Sequence, residues 1–585
     1  MEKKPFNIQS LLHHPVSMVI VAMLLIWLSS FLSVRIDLTA EKRFSLTPAS
    51  KTILQNLDTT IQVDVLLDGS LSADYKKLRN AVVDILNEFR SVSGGLVEVN
   101  IGIDLPNKQD SAVALIYDSL ASIGVVFERT SVTVAAQTPL ADQYILPSAV
   151  VRYGNRPPVV VDLRSSRKVY KQYNVLSEMP EEDVEATRAA AEALLEYKFI
   201  SAIDQLTRKD VPTIAYVVGN GQPLDDRVED LGQTLSASYR LAIMDLKQAQ
   251  PNPDQVQLLL VVKPTEPFSE TDLWKLDQYV MRGGKIIWCI DPLYAEYDSL
   301  RKSTGSYVAF DRNLQLDDLL FRYGARINKN LAQDLNCAKI PIVIGYNPDG
   351  SPQMQRVPWA YYPFLFGNDE HPTSRNLERV LSIFPSSIDT VKAPGIQKTI
   401  LLTTDTSSRV VSQPALIDVN SVKTEEDFRT FRSSRVPVAV LLEGKFRSLY
   451  ANRMTPELES DLRAVTGANF LQEGVAPAQQ LVVADADLVT NAVTQTQGPL
   501  AMGTLPMEQY RFANREFIEN MVTYMLSEQP ILEARNKEVV LRLLDKQKLS
   551  EQKSFWQLFN IIVPILLMSL IGFIMISWRK KQFAA

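Results

Sequence analysis

The sequence predicts an α/β protein whose body lies between two transmembrane helices, one near each end of the chain. Residues 16–34 and 556–578 are apolar runs without a single charged side chain. Between these runs, strand and helix patterns alternate at short intervals, which is typical of a largely parallel sheet covered by helices.

Both apolar runs are long enough to cross a bilayer, because about 20 residues rising ~1.5 Å each cover ~30 Å of hydrocarbon. Lys3 and Lys4 precede the first run and three basic residues, 579–581, follow the second. The positive-inside rule therefore places the tails 1–15 and 579–585 in the cytoplasm and the body across the membrane. A signal peptide is the alternative for the first run, but its length and the lack of a small-x-small site favour an uncleaved anchor.

Charge and cysteine content exclude several classes of protein. The whole chain has a net charge of −6, and the region between the runs is more acidic still, since the tails hold five basic residues and one acidic residue. An acidic body argues against nucleic acid as a partner. Cys289 and Cys337 are the two cysteines; one disulfide between them remains possible, but two separate buried thiols are favoured.

Residues 35–175 are predicted to form the first domain. Thr47 and Pro48 are suited to the start of a short helix, and a strand at 60–67, a helix closed by 94–95 and a strand at 96–103 make a βαβ unit. Further strands are predicted at 123–127, 150–153 and 159–163. A thioredoxin-like scaffold fits this pattern, without redox chemistry because the region has no cysteine.

A helical connector at 176–210 is predicted to lead into a second domain, 211–530. Strands at 213–218, 241–245, 257–262 and 285–290 alternate with helices, which predicts a doubly wound sheet. Strands at 399–404, 436–442 and 480–484 complete this sheet or form a second layer. The proline-rich stretch 341–363 gives no clear pattern.

Open α/β sheets bind ligands at the carboxyl ends of their strands. Two predicted strands end at Lys263 and at Asp291, and the ligand-binding candidates are Gly219, Asn220, Gly221, Asp291, Asp485 and Asp487. The last two are candidate ligands for a hard cation, although capping of the next helix is favoured because no regular run of ligands follows.

Catalytic motifs are absent from the sequence. No G-x-x-x-x-G-K-[ST] loop occurs, so the chain is not expected to hydrolyse ATP. Gly219 to Gly221 begins like a dinucleotide-binding fingerprint, but Leu224 occupies the third glycine position, which favours a simple turn. His371 is favoured as a loop residue with a structural hydrogen bond over a catalytic base. We predict no catalytic residue, cofactor or metal.

Residues 531–555 are predicted to form a juxtamembrane helix that runs into the second span. Its mixed charges most often indicate a solvated helix face. The more specific alternative is a stalk that transmits force to the membrane.

Five segments together resemble the gliding-motility-associated ABC transporter auxiliary family GldG of the Bacteroidota. The segments are DLTAEKRFSLT at 37–47, GGK at 283–285 followed by Asp291-Pro292, PVAVLLEGKF at 437–446, VADAD at 483–487 and NREF at 514–517. They occur in order between the two terminal runs and together span nearly the whole chain.

This resemblance implies a substrate-binding-like inner-membrane subunit that works with a multispanning permease and a cytoplasmic ATPase. It also implies that 211–530 is similar to class I glutamine-amidotransferase-like sheets, although Cys289 lies within a strand and lacks the elbow glycines and the following His-x-Glu of an active enzyme. We therefore expect a non-catalytic auxiliary subunit. The alternatives are an envelope scaffold or secretion component, and a degenerate periplasmic hydrolase using Asp291, Asp485 or His371.

Overall fold

The computed structural model describes residues 23, 45–69, 71–102, 119–131, 142–165, 183–302, 305–419, 422, 424–432, 435–467, 469–506, 510–527, 530–535 and 546–583. The chain divides into two compact units, Met1–Glu538 and Val539–Ala585.

The first unit begins with a four-stranded sheet flanked by helices. Its elements are α1 (Pro48–Gln55), β1 (Ile61–Val65), α2 (Ala73–Val92), β2 (Val97–Ile101), β3 (Glu128–Ser131), β4 (Asp142–Ile145), β5 (Ser148–Tyr153), β6 (Val159–Asp162) and α3 (Val184–Thr207). The sheet order is β2-β1-β5-β6, and β3 pairs with β4 separately. β1 and β2 pair in parallel across α2, which confirms the predicted βαβ unit, while β5 and β6 add antiparallel strands.

Local signals explain where these elements begin. Thr47 accepts a hydrogen bond from the Ser50 N–H and Pro48 stands at the first helical position, so α1 starts as predicted. The strand predicted at 123–127 is wrong: Gly124 has a left-handed φ of +93° and ends a helical turn, and the strand starts at Glu128. The apolar run there therefore belongs to a turn and to the residues leading into β3.

The helix predicted as a connector, α3, packs over the N-terminal sheet. Leu195, Phe199, Ile200 and Ile203 are at most 2 % exposed and belong to the same hydrophobic cluster as β1 and α2. The same cluster includes Ile531, so the chain returns to this core near its end. Helix α3 therefore packs both against the N-terminal sheet and against residues near the end of the chain.

The larger part of the first unit is built around a ten-stranded sheet. Its elements are β7 (Thr213–Val218), a 3₁₀ turn (Asp226–Val228), α4 (Glu229–Ser236), β8 (Arg240–Asp245), β9 (Leu258–Val262), α5 (Glu270–Met281), β10 (Lys285–Cys289), α6 (Tyr297–Lys302), β11 (Ser306–Ala309), α7 (Asp317–Tyr323), β12 (Ala325–Ile327), β13 (Asn330–Asp334), β14 (Cys337–Tyr346), β15 (Pro352–Gly367), β16 (Val380–Leu381), β17 (Ile388–Thr390), β18 (Ile396–Thr403), β19 (Ser408–Ser412), β20 (Ala415–Asp418), α8 (Glu425–Arg429), β21 (Pro437–Gly444), α9 (Pro456–Thr466), β22 (Ala478–Val483), a 3₁₀ turn (Ala486–Leu488), β23 (Val493–Thr494), β24 (Gly498–Pro499), α10 (Asn514–Leu526) and α11 (Leu532–Arg535).

The order of the large sheet is β14-β15-β18-β21-β22-β10-β9-β7-β8, with β16 beside β15. The strands from β22 to β8 are parallel, as the alternating pattern predicts. The prediction of a largely parallel sheet is wrong for the other half, where β21, β18, β15 and β14 are antiparallel. One reason is that β14 and β15 form a hairpin across residues 347–351, and a turn that short joins only antiparallel strands.

The second unit contains α12 (Lys546–Phe583), which continues through Pro564. Within it, Gln552–Lys580 is long and apolar enough to cross a membrane and contains an 18-residue window with a mean hydropathy of 2.5, in agreement with the predicted span at 556–578. It is the one such helix among the described residues. The predicted first span lies outside the described residues except for Met23, and residues 536–545 of the predicted juxtamembrane helix also lie outside them.

Candidate functional site at the carboxyl edge of the parallel strands

The carboxyl ends of β7, β9, β10 and β22 lie along one edge of the large sheet, because parallel strands point in the same direction. The chain reverses its course along the sheet between β7 and β9, and such a switch point is where open α/β sheets form ligand crevices. The sequence-predicted candidates all follow these strands: Gly219, Asn220 and Gly221 after β7, Asp291 after β10, and Asp485 and Asp487 after β22.

At the switch point itself, the turn after β7 is packed against the loop after β9. The Asn220 carbonyl accepts hydrogen bonds from the N–H groups of Thr265 and Glu266, both at 3.0 Å. Gly221 has φ +74°, and a Cβ there would lie 2.0 Å from the Thr265 Oγ1. The glycine is thus required by the close approach of two loops, which agrees with the simple turn that the sequence favours.

Lys263 is the centre of the second group of candidates, and sequence reasoning had noted it only as a strand end. Its side chain is 8 % exposed, and its Nζ lies 2.5 Å from Asp487 Oδ1 and 3.5 Å from both Asp291 Oδ2 and Glu296 Oε2. Its backbone is left-handed, with φ +48°. Burial alone lowers the pKa of the Lys263 amine, but the surrounding carboxylates outweigh burial and raise that pKa, so the side chain is charged.

Arg312 adds a second cation to this group. Its side chain is 5 % exposed, and its guanidinium donates to Glu296 Oε1 at 2.7 Å and lies 5.0 Å from the centre of the Tyr294 ring. Glu296 therefore bridges two cations. We call Lys263, Asp291, Glu296, Arg312 and Asp487 the lysine cluster.

Asp291 is the most perturbed carboxyl of the lysine cluster. Its Oδ1 accepts a 2.6 Å hydrogen bond from the Ala486 N–H, while its buried Oδ2 has no hydrogen bond from the described residues and only the ion pair with Lys263. Burial raises the pKa of Asp291 to about 6, although Lys263 acts in the opposite direction. Asp291 is therefore a carboxyl that takes up a proton only slightly below neutral pH.

Asp485 stands beside the lysine cluster and is fully buried. It caps the 3₁₀ turn Ala486–Leu488 through the Asp487 N–H at 2.9 Å, and it accepts hydrogen bonds from the Ser382 hydroxyl at 2.5 Å and the Ile383 N–H at 2.8 Å. Burial and the neighbouring carboxylates Asp291 and Asp487 raise its pKa. The capping role is the one that the sequence favoured over cation binding.

Chemically, the lysine cluster pairs two cations with three carboxylates and so balances most of its own charge. Lys263 occupies the position between three carboxylates where a bound cation would otherwise stand, and no group of three or more metal-ligating side chains suited to a metal is found among the described residues. The arrangement joins the loops after β9, β10 and β22 and is suited to holding this edge in one conformation.

The remaining chemically notable side chains are two thiols and a histidine, and Cys289 ends β10 close to this edge. Cys289 and Cys337 are free, buried thiols, and burial raises the pKa of both, to about 12 for Cys337, so neither is activated as a nucleophile. His371 Nδ1 and the Thr373 hydroxyl are 2.8 Å apart, and the ring packs at 5.0 Å from Tyr524. This is the structural loop histidine that the sequence favours.

Two protein-family models match parts of this chain. Residues 211–521, more than half of the chain, match the model of an ABC transporter auxiliary family described as an ABC-type uncharacterized transport system. Residues 40–152 match a domain of unknown function, DUF7088. A search of curated proteins finds no match.

Solved structures give weaker likenesses. The mmIFT52 N-terminal domain is 11 % identical with a TM-score of 0.30, over 54 % of this chain and 97 % of that one. The exo-beta-1,4-mannosidase Op5Man5 from Opitutaceae bacterium strain TAV5 is 10 % identical with a TM-score of 0.20, over 70 % of this chain and 46 % of that one. Neither TM-score reaches the level at which a shared fold is inferred.

Proposed function

The chain belongs to this auxiliary family of ABC-type transport systems, and from that premise we propose that it is a non-catalytic subunit of an inner-membrane ABC-type transporter complex. A multispanning permease and a cytoplasmic ATPase are its partners. Its body is periplasmic, and both termini are cytoplasmic after two membrane passes. The resemblance to the gliding-motility family suggests a complex that serves gliding and the cell envelope.

The observation that carries this proposal is the meeting of both ends of the folded body on α3. At the first end, Glu196 of α3 accepts hydrogen bonds from the Thr47 N–H and the Ser50 hydroxyl, both at 2.7 Å, and so holds the start of α1. Residue 47 lies shortly after the predicted first span.

At the other end, α11 packs on α3 and contacts α1. Ile531 and Ala534 are buried in the N-terminal core, and the buried Arg535 pairs with Glu516 of α10. The segments that lead toward the two apolar ends of the chain thus leave the body from one place. Exits that lie close together suit two anchors in the same bilayer, so this arrangement supports the two-pass topology.

The non-catalytic part of the proposal rests on the lysine cluster. Its three carboxylates form ion pairs with Lys263 and Arg312, and the switch-point crevice is filled by the protein's own loops. A binding or coupling role that needs a rigid edge fits this geometry better than acid–base chemistry. We infer that a separate subunit hydrolyses ATP, in keeping with the family match. Movement of the anchors would then reach the body through α1, α11 and α3.

The first test is purification of the full chain in mild detergent from its native membrane, with identification of the co-purifying proteins and an ATPase assay. We expect a multispanning permease and an ATPase with a phosphate-binding loop. Recovery of the chain alone, or only with envelope proteins, would contradict the transporter assignment.

Topology is tested by labelling single cysteines with a membrane-impermeant thiol reagent, because the two native thiols are buried. Glu2→Cys and Gln582→Cys should be labelled only after the inner membrane is opened. Lys445→Cys, on the surface of the body, should be labelled in spheroplasts with an intact inner membrane. Labelling of Glu2→Cys in intact spheroplasts would rule out the two-pass arrangement.

A further inference from the structure

A polar cavity of about 510 Å³ lies between α7, the segment from β12 to the start of β13, and the end of β19. Eleven residues line this cavity, and eight of them are polar or charged. Its volume is in the range of small-molecule sites, about 300–1,000 Å³. None of the lining residues belongs to the lysine cluster, so the cavity is a second candidate site.

The amide side chains of the cavity wall are held in place by contacts behind them. Asn330 is 9 % exposed; its Nδ2 donates to the Ser387 Oγ at 2.9 Å, and its Oδ1 accepts from the Ser387 N–H at 3.0 Å. The Asn328 Nδ2 donates to the Ser387 Oγ and to the Asp389 Oδ2, both at 3.0 Å. A polar wall that is fixed in this way is preorganised for a ligand.

The charges of the cavity wall cancel. Its charged residues are two acids, Asp317 and Asp318, and two bases, Arg326 and Lys329. The Lys329 Nζ lies 2.9 Å from the Asp317 Oδ2 and so occupies the place where a cation would bind. A wall without net charge gives no overall attraction to an ion, which argues against a nucleotide or a metal ion and favours an uncharged ligand.

Several polar groups of the wall have no protein partner. Within the part of the chain that the structure describes, the side chains of Arg326 and Gln413 make no hydrogen bond or ion pair, and the Asn328 Oδ1 accepts no hydrogen bond. Amide and guanidinium groups are planar and carry their donors and acceptors side by side. Such groups are suited to bonding two adjacent hydroxyl groups of a sugar ring at once.

An exposed aromatic ring completes the cavity. Phe321 of α7 lines it and is 53 % exposed, which gives an apolar surface for the C–H face of a sugar ring. Leu320 and Ile327 are the other apolar residues of the lining. A site for an apolar ligand or for apolar peptide side chains would be lined mainly by hydrophobic residues, whereas here eight polar residues stand against three apolar ones.

We propose that this cavity binds a neutral saccharide. Phe321 packs on the face of one sugar ring, and Arg326, Asn328 and Gln413 form hydrogen bonds with the hydroxyl groups at its edge. The proposal goes beyond the proposed function and rests on the cavity residues alone. The periplasmic position proposed for the body would bring the glycans of the cell envelope within reach of this site.

The test is isothermal titration calorimetry of the full chain with maltose, cellobiose and N,N′-diacetylchitobiose, in a detergent whose headgroup is not a sugar. We expect at least one of these neutral disaccharides to bind. Phe321→Ala should weaken that binding about tenfold, and Arg326→Ala should weaken it as well. Phe428→Ala removes a ring of similar exposure, 49 %, from α8 outside this cavity and should leave the affinity unchanged. All three positions are exposed, so the variants should fold, as wild-type melting temperatures would verify.

Three results would overturn the proposal. One is the absence of binding for all three disaccharides, and another is an equal affinity in the wild type and in Phe321→Ala. The third is binding of inorganic phosphate or of the dipeptide alanyl-alanine without binding of any sugar, which would assign the cavity to an ion or to a peptide. A chain that binds a disaccharide here but recovers no permease would contradict the transporter assignment alone, so the two proposals fail separately.

Discussion

Replacing Lys263 by Met tests the lysine cluster directly. Methionine keeps most of the apolar stem but removes the charge that lies 2.5 Å from Asp487 and 3.5 Å from Asp291 and Glu296. Removal of one partner from a buried ion pair leaves uncompensated charge and usually costs about 3–5 kcal/mol of unfolding free energy. We expect a loss of that size at pH 8.

The loss should shrink as the pH falls. Without Lys263 the carboxylates can relieve their repulsion by binding a proton, and for a group with an ordinary pKa near 4 that costs about 5 kcal/mol at pH 8 but only about 1.4 kcal/mol at pH 5. Asp291, whose pKa burial already raises to about 6, takes up a proton even more easily. The destabilisation by Lys263→Met should therefore fall to about 1–2 kcal/mol at pH 5.

The assay is urea unfolding of the full chain in mild detergent, followed by tryptophan fluorescence at pH 8 and pH 5. Trp288 lies in β10 and is fully buried, so it reports on the large sheet. Lys445→Met removes an exposed lysine and should change the unfolding free energy by less than about 0.5 kcal/mol. The double variant Lys263→Met/Asp487→Asn should be more stable than Lys263→Met alone, since one uncompensated charge is gone.

Two results would refute the reasoning. The first is a Lys263→Met variant as stable as the wild type at pH 8, and the second is an equal loss at both pH values. Either would mean that the lysine charge does not balance the carboxylates around it.

Three further predictions use the same unfolding assay. Asp291→Asn should lose stability relative to the wild type as the pH falls from 8 to 5. The raised folded-state pKa of about 6 gives only the wild type a gain when the carboxyl is protonated, about 1.4 kcal/mol by pH 5; a pH-independent difference would contradict this. Gly221→Ala should lower the unfolding free energy more than Gly350→Ala. Both glycines have φ near +80°, a left-handed backbone that alone costs about 1–3 kcal/mol, but only the first would place its Cβ against Thr265. Equal losses would argue against the close approach of the two loops. Glu196→Ala should lower the unfolding free energy by about 1–3 kcal/mol, because it leaves the buried donors of Thr47 and Ser50 without their acceptor. Glu185→Ala, at an exposed position on the same helix, should lower it by less than about 0.5 kcal/mol. Similar effects would show that the contact between Glu196 and the start of α1 is unimportant.

Sequence patterns predict secondary structure correctly where the signal depends only on neighbouring residues. Strand β7 is predicted to the residue, and Thr47 and Pro48 correctly mark the start of α1, because each signal depends on neighbours within a few positions. The segment 341–363 gave no usable pattern, because the tip of the β14–β15 hairpin is exposed on both strands and has no buried face to impose alternation.

The candidate site was predicted only in part for a related reason. Asp291, Asp485 and Asp487 were found because carboxylates at strand ends stand out locally, but Lys263 comes from another loop and Arg312 from a segment between elements. The available signal for Lys263 was a charged residue directly after the buried strand Leu258–Val262, which implies a counter-ion nearby. Which carboxylates supply it depends on the order of strands in the sheet, and no local pattern gives that order.

The return of the chain to its first core has a consequence for synthesis. Helix α3 is complete at Thr207, but Ile531 and Ala534, which belong to the same core, are translated hundreds of residues later. At about 5–20 residues per second, that interval lasts tens of seconds. The domain made first can therefore be completed only last, and until then it presents an unfilled apolar groove on α3 to the chaperones that meet the nascent chain.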